Sequence, residues 1–124
     1  MIQRISKTFA LSVLAATAAR WGIPDEEHYR LLGVSKSTSD RWFAELARGS
    51  LNGSSFEAPV LDRISHIVSI YDMLHRLYVG QEANLWISRS NAAFAGKAPR
   101  ELLLSGKLED LLEVRRYVEF FYAV

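Results

Sequence analysis

Apolar positions recur every three or four residues over most of this 124-residue chain, the period of a helix with one buried face. From Lys7 to Arg20 two such rows overlap: Phe9, Val13, Ala16 and Arg20 form one, and Ala10, Leu14 and Thr17 the other. The pattern predicts a first helix with a broad apolar face. Gly22 ends it, Pro24 blocks its continuation, and Asp25-Glu-Glu supplies the acids that favour the first turn of a second helix running to Leu32. Ser35 can cap a third helix through about Ala47. From Val60 to Tyr78 a long helix is expected, with Leu61, Ile64, Ile67, Val68, Tyr71, Leu74, Leu77 and Tyr78 as its apolar stripe and Gly80 as its stop. A short helix over Glu82–Ser88, a helical turn at Asn91–Phe94, a helix from Pro99 to Ser105 and a last one from Lys107 to about Tyr122 complete the count at seven or eight. No alternating strand pattern exceeds a few residues and no repeat is present, so the expected fold class is all-α.

Gly49-Ser-Leu-Asn-Gly-Ser-Ser-Phe-Glu-Ala-Pro59 is the one turn-rich connector. It joins two lobes or forms a loop within one, and the chain divides there into residues 1–56 and 57–124.

Two stretches carry more than helix signals. Leu31-Leu-Gly-Val-Ser-Lys-Ser-Thr-Ser-Asp-Arg-Trp42 places a glycine bend between two helices and a serine cap at the start of the second. It resembles the helix-turn-helix of phage-repressor and Xre-type regulators, in which residues just after the cap enter the major groove. Ser35, Lys36, Ser37, Thr38 and Arg41 are the DNA-contact candidates, with Val34 and Trp42 facing inward. Tyr29 stands where an alanine is usual in such units, and Ser39 where an aliphatic is usual.

The other stretch runs Leu85-Trp-Ile, then Asn91-Ala-Ala-Phe-Ala-Gly96, Pro99 and Glu101-Leu-Leu-Leu-Ser-Gly106, before an amphipathic last helix. Trp86 is an apolar anchor, Pro99 fits a first helical turn, and Gly106 fits a left-handed stop. With Asn91, Phe94 and Gly96 these landmarks resemble the toxin-binding domain of the Xre/MbcA/ParS antitoxins. Where that family often has Pro-Leu, this chain has Pro99-Arg100, and it closes on Phe120-Phe-Tyr-Ala-Val124 rather than an aliphatic-Tyr-Gly ending. The resemblance implies an operator-binding, homodimeric antitoxin, dimerised through its C-terminal half. Its partner would be a RES-type toxin, similar in fold to ADP-ribosyltransferases and acting on NAD. The last helix would cover the entrance of the toxin's active site, with Arg116, Phe120, Phe121, Tyr122 and Val124 as the toxin contacts. The runner-up is a stand-alone helix-turn-helix regulator or partition-type DNA-binding protein.

Composition narrows the field. The net charge is +1, split as +2 over residues 1–56 and −1 over 57–124, so DNA contact must come from local placement. There is no cysteine, which excludes disulfides and fits a reducing cytoplasm. No apolar run reaches a membrane span; the first nineteen residues have a leader's layout, but Ser12 and Thr17 break the apolar run. The three histidines form no metal-binding pair, no phosphate loop or nucleophile elbow is present, and neither cofactor nor catalytic residue is expected. Asp72 and His75 are read as a surface pair.

Overall fold

The protein was examined as a computed structural model that describes residues 5–53 and 55–123. It is all-α. Seven α-helices, α1 (Lys7–Arg20), α2 (His28–Leu32), α3 (Lys36–Arg48), α4 (Ala58–Leu77), α5 (Gln81–Leu85), α6 (Pro99–Leu103) and α7 (Leu108–Ala123), are joined by loops and three 3₁₀ turns, with no strand among the described residues. Among the described residues no helix is long and apolar enough to cross a membrane.

The caps explain the boundaries. Ser6 Oγ accepts from the Phe9 amide at 3.1 Å to start α1, and Ser35 Oγ accepts from the Thr38 amide at 3.1 Å to start α3. Gly33 closes α2 in the left-handed conformation, φ 70°, with the Arg63 side chain lying against it. The positive φ makes this position one for glycine.

α4 is the central column. Its N-terminal end, at Leu61 and Asp62, lies by Ile5 and Phe9, while Tyr71 and Asp72 lie by Arg20, so α1 and α4 run side by side in the same direction. On the other side His66 meets Arg115, and Leu74 and Tyr78 meet Val118 and Phe121, so α7 also runs with α4. One core is continuous across the division at residues 56 and 57: Leu11, Leu14, Leu32, Ile67, Ile70, Ile87 and Val114 are all fully buried within it. Each such side chain contributes about 1.5–3 kcal/mol of transfer free energy.

The connector belongs to this core as well. Phe56 is buried and its ring centroid lies 4.6 Å from that of Trp42, while Ser55 Oγ donates to the Ile5 carbonyl at 2.9 Å.

Three expectations need correction. Of the overlapping rows on α1, it is Ala10, Leu14 and Thr17, with Leu11 and Ala18, that turn inward; Phe9 remains 62% exposed. The other row borders the hollow that runs between α1 and α4 and stays open to solvent there. On α4 the stripe includes Ile70 and Met73, whereas Leu77 and Tyr78 point outward where the helix ends. Asp72 does not pair with His75. Its carboxylate accepts from Arg76 Nε at 3.1 Å, and His75 Nδ1 lies 2.9 Å from the Tyr71 carbonyl.

Candidate functional site

Two surfaces collect the residues singled out by sequence. The first is the exposed face of α3. Ser35 is occupied as the cap, and its hydroxyl also bonds Thr38 Oγ1 at 2.9 Å and lies 3.2 Å from Ser37 Oγ. Lys36 Nζ reaches across one turn to Asp40 at 2.9 Å, and this bond raises the lysine's pKa further. Thr38 is half-buried, whereas Ser37 and Arg41 are exposed, and Arg41 has no ion pair among the described residues. Arg48, seven residues beyond Arg41 and also exposed, continues the same face, which the sequence reading missed although the spacing was visible. Val34 and Trp42 are half-buried against the core. Ser39, in a position where an aliphatic is usual, is buried.

Behind this face lies His28, 3% exposed and with its ring 5.0 Å from that of Phe43. Neither ring nitrogen has a hydrogen bond of good geometry; the nearest carboxylate is that of Asp25, at 3.7 Å. Burial pushes its pKa below the ordinary value, against the opposing pull of Asp25.

The second surface is built on the loop from Ser90 to Ala98. Asn91 organises it: its Oδ1 accepts from the Ala93 amide at 2.9 Å, its carbonyl accepts from Phe94 and Gly96, and its amide donates to the Lys97 carbonyl. Ala95 and Gly96 take φ values of 57° and 83°, which turn the chain back on itself, and Ser90 Oγ donates to the Gly96 carbonyl at 2.6 Å. Pro99 then opens α6, fully buried, with Glu101 accepting from the Ala98 amide at 2.9 Å. Gly106, φ 81°, reverses the chain into α7.

The loop presents an aromatic ladder. Phe94 is buried and Trp86 half-buried; Tyr117 of α7 stacks on Trp86 at 6.1 Å and meets Phe94 at 5.1 Å. Phe121 leans on Tyr117 at 4.9 Å, and Phe120 on Phe121 at 5.3 Å. Towards the last turn the ladder emerges into solvent: Phe120 is 66% exposed, Phe121 49% and Tyr122 44%. Arg116, exposed, shares the face of Phe120 one turn earlier. Val124, expected with them, lies outside the described residues. Leu77, Tyr78 and Val79 extend the bare patch from the end of α4, and Val79 is 91% exposed. The signal for these was an apolar triplet standing immediately before Gly80, read only as the end of a stripe.

Arg100 ties the two regions together. Its guanidinium donates to the carbonyls of Trp21 and Gly22, at 3.3 and 3.2 Å, at the C-terminal end of α1, where a cation is favoured. Arg30 returns the contact, donating to the Leu104 carbonyl at the end of α6 at 3.5 Å. The residue that departs from the antitoxin pattern thus has a structural task in this chain. His66 is held between α4 and α7, its Nδ1 2.6 Å from Arg115, and burial with that guanidinium lowers its pKa. Among the described residues no three His, Cys, Asp or Glu side chains converge to hold a metal ion.

No family model matches the chain. Over 104 residues it is 32% identical to the uncharacterized protein y4oB of Sinorhizobium fredii (strain NBRC 101917 / NGR234), a match covering 82% of this chain and 75% of the relative. At that identity and coverage the chain belongs to the same family as y4oB.

Proposed function

We propose that this member of the y4oB family is an antitoxin that neutralises a RES-type, NAD-degrading toxin and binds its own operator. It acts in the cytoplasm as a homodimer, by occlusion and without catalytic residues of its own. The observation that carries the reading is the emergence of Phe120, Phe121 and Tyr122 into solvent from a ladder rooted in Trp86 and Phe94. Exposed aromatics contribute little to folding, whereas an aromatic cluster with one end fixed in the core is pre-organised to anchor a partner. Arg116, beside Phe120, adds a guanidinium suited to an acidic group on that partner. On α3, Ser37, Arg41 and Arg48 form a polar, basic strip of the kind that follows a DNA groove. A stand-alone regulator would account for this strip but not for the aromatic end.

The test is co-expression. A neighbouring reading frame that arrests growth alone should be silenced by this protein, and its NAD loss prevented. If the neighbour is harmless by itself, the antitoxin reading fails and the regulator remains.

A further inference from the structure

We propose that the groove between α1 and α4 seats a second copy of this chain, the two copies related by a two-fold axis passing near Val13 and Val68. The proposal does not depend on the antitoxin reading. It also places the dimer on a different face from the one the family resemblance implied.

The groove starts from the row of α1 that the core leaves out. Phe9 is 62% exposed and Ile5 40%, and both stand beside an apolar hollow of about 340 Å³ floored by Val13, Leu61, Ile64 and Val68. Past Val13 and Val68 the hollow continues for about 380 Å³, to Arg20, Tyr71 and Asp72. The whole strip follows α1, whose 14 residues span about 21 Å. Ridge and hollow therefore lie along one face, as an isologous contact requires: across an axis at Val13 each Phe9 falls against the Ala16–Tyr71 end of the other copy's hollow. Ser12, Ala16 and Ala19 are small and exposed, so two α1 helices can approach closely.

Charge fixes the orientation. Arg20 stands at one end of the strip and Asp62 at the other, and neither forms an ion pair among the described residues. In an antiparallel arrangement each Arg20 meets the Asp62 of the other copy, twice per dimer. A parallel arrangement would set like charges together. An occupant other than a second copy would have to offer both the apolar ridge and the same pair of opposite charges at the same spacing. This chain already carries them. The end of α7 lies away from this face, since α7 packs on the other side of α4.

The contact is small, so a micromolar dimer is expected. Sedimentation equilibrium of the full chain, taken to about 100 μM, should show it. Phe9→Asp should give a monomer with an unchanged melting temperature. Arg20→Asp and Asp62→Arg should each weaken the dimer at least several-fold, and the double charge swap should restore it. A wild type that is monomeric over this range overturns the proposal and leaves the groove to another occupant. A Phe9→Asp protein that still dimerises overturns it by placing the interface elsewhere, and so does a charge swap that fails to rescue.

Discussion

The outward face of α3 and the last turns of α7 are both exposed helix surface, yet they treat their side chains in opposite ways. On α3 nearly every polar group is already satisfied within the molecule: Ser35 caps, Thr38 bonds Ser35, and Lys36 holds Asp40. Arg41 and Arg48, exposed and without an ion pair among the described residues, are left to reach outward. On α7 the last turns carry large apolar rings, and half or more of the Phe120 surface meets water. The cost of holding these two surfaces differs. Self-paired polar groups cost the monomer little, whereas bare aromatics give up burial that a partner would restore. The α3 face is thus cheap to keep and weak as an anchor; the α7 end is the reverse.

The most decisive way to break this contrast is truncation after Glu119. Neutralisation should be abolished while the helical content and the melting temperature stay close to wild type, as measured by growth rescue and circular dichroism. Trp86→Ala should do the opposite: its ring is half-buried beneath Tyr117, so the loss should be about 2 kcal/mol, somewhat below the cost at a fully buried aromatic site. If the truncated protein unfolds, the rings belong to the core and the distinction collapses.

On α3, Arg41→Ala should weaken specific operator binding by about 1–3 kcal/mol, provided that the guanidinium reads a base edge. Lys36→Ala should do less, because the ammonium is already committed to Asp40. Gel shifts across a salt series separate the two, and equal losses would show that Lys36 leaves Asp40 on binding.

Arg100→Leu sharpens the comparison by testing whether the two regions are mechanically joined. Two donors to the end of α1 are lost, and about 1 kcal/mol of stability should go with them in a denaturant melt. No change would mean that the shared apolar core around α4 holds the two halves without help from Arg100.

The smallest effect expected is a pH slope. His28 is neutral in the fold, and its pKa is lowered by burial, so the unfolded chain binds the proton more readily. Stability should therefore be complete above about pH 6.5, the ordinary histidine value, and decline as pH falls below it. His66, its pKa also lowered, adds to the same slope, so His28→Phe should reduce the decline and the double variant His28→Phe, His66→Gln should flatten it. An undiminished slope in the single variant would assign it to another group.

Helix number, caps and stops were legible because they depend on neighbours in sequence: Ser35, Gly33 and Gly106 act within four residues of themselves. The landmarks around Trp86 and Asn91 were legible for the same reason. What escaped depends on partners far along the chain. Nothing local says that Ala10 rather than Phe9 should face α4, that Ile70 and Met73 complete the core, or that Arg100 reaches a carbonyl 79 positions away. Pairings between close neighbours can also mislead, as Asp72 did: His75 and Arg76 both lay within one turn of it, and Arg76 makes the contact while His75 turns to the Tyr71 carbonyl.

The central placement of α4 limits how this family can be re-engineered or can recombine. A chimera joined at residue 56 would separate Leu14 and Leu32 from Ile67 and Ile70, leaving an apolar wound on each half. The outer face of α3 and the last turns of α7 therefore cannot be exchanged as cassettes at the connector. Any graft has to carry α4 with it, so these two surfaces change most readily through substitutions confined to each of them.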